Sequence, residues 1–443
     1  MIEGVTTEVV AREDVARRPP SAPLSVAILT NGCKLNQAES EAMALELATA
    51  GCVVTDRAGP ADAVVINTCA VTHVAERKAR HLVRLARRLS PRARIIVTGC
   101  YAEAATPAVV CELGADVVLS NGVKQRAATI LLQNIACHGA PVPSGRLRTR
   151  SFVKIQEGCN DVCAFCIVPQ TRGRERSVPT VEVLHRVGRA QADGVREVVL
   201  TGTQLGAYGR DLEEGANLVG LMERVLRETS VPRIRLSSVQ PQDVTPALLG
   251  LWGDPRLCRH LHVALQGGSD AVLSRMRRRY TAREFADAVD LIQRHLPDVA
   301  VTTDVLVGFP GETDDDFAAT QRLCREAGFA ALHVFPFSAR PGTLAARMPD
   351  QVSAATKRAR VREMLTLGDE LRGRFLARFE GSVANVLFER KVRENAWEGL
   401  SGNYIRVVAR CEESLENRIA AVRLDRREGR GFRGTLQPLT EAS

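Results

Sequence analysis

Residues 157–169 read EGCNDVCAFCIVP and set Cys159, Cys163 and Cys166 in a C-x3-C-x2-C spacing. Three thiolates on one short loop can hold three irons of a [4Fe–4S] cube and leave the fourth iron open. Such clusters usually take a thiolate on every iron, so a vacant iron is available to a substrate or cofactor. The competing use of grouped cysteines is structural zinc, which wants four ligands, commonly as two separated pairs. No fourth Cys or His stands near this loop in the sequence. An aromatic residue, Phe165, precedes the last cysteine.

Composition frames that loop. A chain of 443 residues has room for two or three domains, and a hydrophobic content of 45% allows a sizeable core. No run approaches the roughly 18 consecutive apolar residues of a membrane span. The N-terminal MIEGVTTEVVAREDVARRPP carries acidic residues and lacks the apolar stretch of a signal peptide, so residues 1–23 read as a disordered tail. Twelve cysteines without a secretion signal predict a cytoplasmic, reducing setting with metal or redox use rather than disulfides. The net charge of +9 and pI near 9.1 point to an anionic partner. Nearly all the positive charge is arginine, which suits bidentate phosphate contacts.

Upstream, from about 24 to 140, three strand-like runs each end on a cysteine: SVAILTNGC at Cys33, ADAVVINTC at Cys69 and ARIIVTGC at Cys100. Apolar runs alternating with amphipathic stretches predict an α/β, doubly wound parallel sheet. Ligands of such sheets gather beyond the carboxyl ends of the strands, so the three cysteines should converge on one edge. Three convergent thiolates again suit a cluster with one open iron. Cys52, Cys111 and Cys137 have no such placement and read as inert thiols.

Downstream, HGAPVPSGRLRTR (138–150) separates this domain from a second one, from about 147 to 375. Six strand–helix units follow, with strands FVKIQ, REVVLTG, RIRLSS, LHVALQ, TTDVLVG and FAALHVF. Six units predict an open, partial (β/α)6 barrel, with its chemistry at the carboxyl ends of the strands. LTGTQLGAYG, LQGGSD and DVLVGFPGE stand at later strand ends, where glycines let backbone approach a ligand. Arg172, Arg174 and Arg176 follow the cysteine loop, and SRMRRRYT holds Arg278 within a second basic run. The helix AERKARHLVRLARRL is also basic and reads as a solvated face. From about 376 to 440, GSVANVLFER, LSGNYIRVVAR and NRIAAVRLDRREGRGFRGTL alternate apolar and polar residues between turns, predicting a small antiparallel β-barrel.

The cysteine loop with Phe165 resembles that of radical S-adenosylmethionine (SAM) enzymes, in which SAM chelates the open iron and is cleaved to a 5′-deoxyadenosyl radical. The motifs TNGCKLNQAES, NTCAVT and VTGCYAE resemble those of the methylthiotransferase family, and the resemblance continues to the C-terminus, where the small barrel resembles the RNA-binding TRAM module. The resemblance implies a catalytic cluster on Cys159, Cys163 and Cys166 and an auxiliary [4Fe–4S] cluster on Cys33, Cys69 and Cys100 that carries or delivers sulfur. A cobalamin-binding N-terminal domain would need a D-x-H-x-x-G loop, which this sequence lacks.

At the strand ends Gly202, Gln204, Gln266, Asp304 and Gly308, with Phe165 of the cysteine loop, are expected to contact SAM, and the resemblance strengthens Gln266 and Gly308. Gly267 departs from the Ser that relatives usually carry. Arg172, Arg174, Arg176 and Arg278 are expected to contact RNA, as are Arg406 and Arg423 in the C-terminal module. VKIQEGCNDVCAFCIVP and LHVFPFSARPGT look like the tRNA N6-threonylcarbamoyladenosine branch, while HVALQGGSD fits either tRNA branch. The alternatives are methylthiolation of N6-isopentenyladenosine in tRNA or of a ribosomal protein. The implied reaction consumes two SAM molecules: one methylates sulfur, and the other supplies the radical that removes hydrogen from C2 of adenine. It also implies an electron donor such as flavodoxin or ferredoxin. The C-terminal module is expected to anchor tRNA through phosphates and to be dispensable for SAM cleavage.

Overall fold

The structure, a computed structural model, describes residues 23–134, 149–213 and 215–438. Most of the expected N-terminal tail, most of the linker at 138–150 and Cys137 lie outside the described residues. Among the described residues, 23–134 with 157–161 and 166–175 make one compact unit, and 149–156, 162–165 and 176–438 make another.

The first unit is built on five parallel strands: β1 (Ser25–Thr30), β2 (Val53–Thr55), β3 (Ala63–Thr68), β4 (Arg94–Gly99) and β5 (Val117–Val118), in the order β2-β1-β3-β4-β5. Successive side chains of a strand point to opposite faces, and here both faces are apolar. Val26, Ile28, Val65 and Ile96 pack on one side, with α1 (Lys34–Thr49) covering them through Met43, Ala44 and Leu47. Ala27, Leu29, Val64, Ile66, Ile95 and Val97 pack on the other, under α2 (His73–Leu89) through Ala79, Val83 and Ala86. Such double coverage is why the strands read as continuous apolar runs. Thr72 caps α2 by accepting a hydrogen bond from the Ala75 amide. The short α3 (Cys100–Ala104), α4 (Pro107–Glu112) and α5 (Ala127–Asn134) complete the sequence of elements to the linker.

After the linker come β6 (Arg150–Lys154), the short β7 (Gln156–Glu157), α6 (Val168–Arg172) and β8 (Arg176–Ser177). In the second unit, β6, β9 (Glu197–Thr201) and β10 (Arg233–Leu236) form one parallel sheet. β11 (His260–His262), β12 (Ala300–Val307) and β13 (Ala331–Pro336) form another. Parallel bridges Ile234–Leu257 and Val239–Val263 join their neighbouring edges. These six strands thus run as one parallel series, crossed over by α7 (Thr180–Ala192), α8 (Leu218–Glu228), α9 (Pro246–Gly250), α10 (Asp270–Arg275), α11 (Ala282–His295) and α12 (Asp314–Ala327) and followed by α13 (Ala354–Ala377). The expected strand LHVALQ is cut short: β11 ends at His262, and beyond it pairing continues as isolated parallel bridges, Val263 with Val239 and Gln266, at φ +64°, with Val305.

The C-terminal part of this unit is a closed barrel of β14 (Val383–Arg393), β15 (Ala396–Ser401), β16 (Arg406–Arg410), β17 (Ile419–Glu428) and β18 (Gly431–Leu436), ordered β14-β15-β16-β18-β17. Four of its pairings are antiparallel, while β16 and β18 run parallel. Val386, Phe388, Trp397, Val407, Val422, Leu424 and Phe432 fill it, together with Phe375 and Leu376 of α13. Burying one such Phe contributes about 2–3 kcal/mol. No helix among the described residues is long and apolar enough to cross a membrane.

Candidate functional site

In the first unit the three strand-end cysteines stand on three neighbouring strands. Cys33 follows β1 and caps α1, Cys69 directly follows β3, and Cys100 directly follows β4. Neighbouring strands lie about 4.8 Å apart, so β1, β3 and β4 bring the thiols to one edge. Two buried amides brace it. Asn36 Oδ1 accepts from the Cys33 backbone and thiol, each at 3.2 Å, and Asn36 Nδ2 donates to Asn67 Oδ1 at 2.8 Å. Gly32 and Gly99 are required here. A Cβ at Gly32 would lie 2.4 Å from Asn36 Oδ1, and one at Gly99, whose φ is +93°, would lie 2.4 Å from the Thr68 carbonyl. Burial pushes the Cys69 thiol up to about 12; a hydrogen bond from the Val71 amide and the charge of Arg172 oppose the rise, while Cys33 and Cys100 add to it.

A buried charge network belongs to the same unit. Arg172 Nη1 lies 2.8 Å from Glu39 Oε1, Lys124 Nζ lies 2.5 Å from the same oxygen, and both cations stand 3.7 Å from Glu157 Oε2. Burial works against the Arg172 charge, but Glu39, Cys100 and Cys33 outweigh it and raise its pKa. Arg172 was expected to contact RNA. Its buried side chain is instead committed to Glu39, because a guanidinium taken out of water needs an anionic partner. Three thiols facing a buried cation fit an anionic iron–sulfur cluster. Asn121, which sequence reading missed, donates to Cys100 Sγ at 3.9 Å and to the Thr171 carbonyl at 2.5 Å. Only tertiary packing reveals it.

The C-x3-C-x2-C loop lies between β7 and α6. The Asp161 amide donates to Cys159 Sγ and the Val168 amide to Cys166 Sγ, each at 3.4 Å. Amide donors favour thiolate over thiol. Gly158 has φ +73°, and a Cβ there would fall 1.9 Å from the Arg174 carbonyl. In the second unit, Arg278 Nη1 donates to Cys163 Sγ at 3.2 Å. Its other nitrogens reach Tyr280 Oη at 3.1 Å and the Gln240 side chain. Arg278 was also expected to contact RNA; these bonds tie it to the cysteine loop instead. Ala164 is held by hydrogen bonds to Met276 and Ala345, and Phe165 packs edge-on to Phe309 at 6.4 Å.

The glycines expected near SAM have individual reasons. A Cβ at Gly202 would lie 3.0 Å from Leu205 and 3.1 Å from Gln156 Oε1, the oxygen that accepts from the Gln204 amide at 2.9 Å. Gly308 has φ +72°, and a Cβ there would lie 2.4 Å from Lys357 Cγ. Its amide donates to Glu312, a buried carboxylate that pairs with Arg360 at 3.0 Å. Gln266 donates to the Asp304 carbonyl and accepts from Leu306, extending the edge of β12. At Gly267 a Cβ would find Val272 at 3.5 Å, an ordinary contact, so the missing Ser side chain reflects no crowding. Asp304 stands between the imidazoles of His262 and His333.

Of the remaining expected RNA contacts, Arg174 and Arg176 are exposed. Arg406 and Arg423 are exposed on the C-terminal barrel, where Arg406 pairs with Glu398, and Arg423 with Asp425 at 2.6 Å. Surface ion pairs of this kind are weak and can exchange for phosphate.

Comparison with known proteins gives a consistent answer. The profile of the Radical SAM superfamily matches residues 153–324, and that of Uncharacterized protein family UPF0004 matches residues 25–120. The threonylcarbamoyladenosine tRNA methylthiotransferase MtaB of Bacillus subtilis (strain 168) is 36% identical, over 90% of this chain and 93% of its own. The MtaB of Thermotoga maritima is 36% identical over 86% and 90%. A tRNA-2-methylthio-N(6)-dimethylallyladenosine synthase from Thermodesulfovibrio yellowstonii is 33% identical over 85% and 90%. The solved structure of the radical SAM methyltransferase TsrM from Kitasatospora setae, with cobalamin and a [4Fe–4S] cluster bound, is similar at a TM-score of 0.52 and 14% identity. It covers 73% of this chain and 74% of its own, and the likeness concerns the fold alone. With identity of this depth along nearly its whole length, the chain belongs to the radical SAM methylthiotransferase family, in its threonylcarbamoyladenosine tRNA branch.

Proposed function

We propose that this protein is a tRNA methylthiotransferase that places a methylthio group on C2 of N6-threonylcarbamoyladenosine beside the anticodon. The observation that carries this reading is the placement of Cys33, Cys69 and Cys100 at the ends of three neighbouring strands, in a chain that also has the C-x3-C-x2-C loop. A structural cluster has no need of an open iron, whereas two sets of three thiols suit sulfur delivery and radical generation. When bound, SAM and its [4Fe–4S] cluster supply the radical that an aromatic, unactivated C–H bond demands.

The chain's own residues bind and orient. Cys159, Cys163 and Cys166 hold the first cluster, and Arg278 places a cation beside Cys163. Cys33, Cys69 and Cys100 hold a second cluster, with Arg172 and Lys124 offsetting its negative charge. Phe165, Gly202, Gln204, Gln266 and Gly308 form the SAM-binding surface of the strand ends; Asp304, expected with them, faces His262 and His333. Arg174, Arg176, Arg406 and Arg423 take tRNA phosphates, and the target base leaves its stack to reach the site. A cytoplasmic flavodoxin or ferredoxin supplies electrons.

Mass spectrometry of tRNA nucleosides from cells lacking the gene tests this reading. The methylthio form of threonylcarbamoyladenosine should vanish and its unmodified precursor accumulate. Loss of the methylthio form of isopentenyladenosine instead would move the chain to the other tRNA branch.

A further inference from the structure

Outside the six cluster cysteines, a second kind of ligand set lies on the strand series of the second unit. His262 ends β11, Asp304 lies in β12 and His333 in β13. Asp304 and His333 are register partners, and β11 pairs with β12 through His262 and Thr302. The three side chains therefore share one face of three consecutive strands. His262 Nε2 lies 3.4 Å from Asp304 Oδ2, and His333 Nδ1 lies 3.3 Å from Asp304 Oδ1. One ligand atom from each residue falls within 4.8 Å of the others.

We infer that His262, Asp304 and His333 form a binding site for a divalent transition-metal ion. Ligands about 2.0–2.1 Å from a tetrahedral zinc ion stand roughly 3.3 Å from one another. Each imidazole nitrogen stands at about that spacing from one oxygen of the Asp304 carboxylate, His262 from Oδ2 and His333 from Oδ1, and one atom from each of the three residues falls within 4.8 Å of the others. Two imidazoles and a carboxylate are a borderline donor set that suits zinc, iron(II) or manganese(II). The outer contacts agree. His262 Nδ1 lies 3.0 Å from Thr302 Oγ1, which also lies 2.9 Å from His260 Nε2. With the His262 Nδ1 proton given to Thr302 and the Thr302 proton given to His260, His262 Nε2 keeps its lone pair toward Asp304. Outer hydrogen bonds of this kind orient ligating histidines in metal sites. Three protein ligands leave a fourth position open, the pattern of a site that also takes water or an oxygen donor from outside. His333 is exposed and Asp304 partly so, which gives an ion a path in.

The test is zinc retention by the cluster-loaded enzyme. Zinc binds such a set at least as tightly as iron(II) or manganese(II), so it is the probe whichever ion is native. Reconstituted protein is incubated with zinc chloride and desalted, and zinc and iron are measured in the same fractions. Wild type should retain about one zinc per chain more than His333→Ala or Asp304→Asn, with iron unchanged. Thr302→Val keeps all three ligands and should weaken zinc binding by about 10–100-fold. His333 is exposed, so its replacement leaves the core intact, and a thermal melt of that variant confirms folding. Equal zinc in wild type and variants, no retained zinc at all, or zinc that enters only as iron leaves would each overturn the inference.

Discussion

The Arg235 guanidinium lies 3.8 Å from the centre of the Tyr404 ring. Tyr404 belongs to the turn between β15 and β16, so the C-terminal barrel supplies part of the floor beneath the strand series. Arg235 also donates to the Gly402 carbonyl and Arg233 to the Leu400 carbonyl, each at 2.9 Å, while His260 meets the Tyr404 ring edge-on at 4.5 Å. Both arginines pair with the buried Glu197.

This floor argues against the expectation that SAM cleavage survives removal of the C-terminal module. Ending the chain after residue 375 would strip Arg233 and Arg235 of their carbonyl partners and expose Phe375. We predict that the truncated protein aggregates or melts well below wild type and loses SAM cleavage with its fold. Tyr404→Ala should cost about 1–2 kcal/mol in urea unfolding from the lost cation–π contact alone. A truncated protein with unchanged melting would refute the floor.

Glu197 predicts a pH dependence. Burial pushes its carboxyl up, but Arg235 and Arg233 outweigh burial and hold it at about 2 instead of the usual 4.5. A lowered folded-state pKa stabilises above the unfolded value, and that stability is lost as pH falls from about 4.5 toward 2; the shift corresponds to about 3 kcal/mol. Glu197→Gln should cost about 3–5 kcal/mol at neutral pH, because two buried cations lose their anion. Its urea midpoint should then fall less steeply than that of wild type between pH 5 and 3. Parallel slopes for the two proteins would contradict the ion-pair account.

The arginines after the cysteine loop should divide by burial. Arg172→Ala leaves Glu39 with Lys124 alone in a buried site, so it should destabilise by about 3–5 kcal/mol. Arg174→Ala and Arg176→Ala should leave stability unchanged within about 0.5 kcal/mol. Each should weaken tRNA binding and reduce the salt slope by about one unit. A salt titration of tRNA affinity beside thermal melts of all three variants separates the two behaviours.

The two cysteine sets should separate in assays. Cys163→Ala should abolish 5′-deoxyadenosine formation and leave about half the wild-type iron, since one cluster loses a thiolate. Cys33→Ala, Cys69→Ala and Cys100→Ala should lose methylthiolation yet still cleave SAM reductively. Cys52→Ala and Cys324→Ala, both buried in apolar cores, should change stability but neither activity. Normal iron content in Cys69→Ala would argue against the auxiliary cluster.

Local pattern was enough for the sheet of the first unit, the series of six strands and the closed C-terminal barrel. Apolar runs such as AVVINT report burial on both faces, and each run's last residue places its cysteine at a strand end. Spacing alone picked out the C-x3-C-x2-C loop, because its ligands are neighbours in the chain. Tertiary structure decided what depends on partners far apart in sequence. Arg172 and Arg174 look alike in the string TRGRER, yet Arg172 meets Glu39, 133 residues away, and is buried, while Arg174 faces solvent. Arg278 finds Cys163, and Arg235 finds Tyr404, by the same kind of long-range closure. His262, Asp304 and His333 carry no spacing signal, since strand register alone aligns them. Local sequence reports periodicity and turn chemistry; the desolvation and pairing of a charge depend on what the folded chain packs against it.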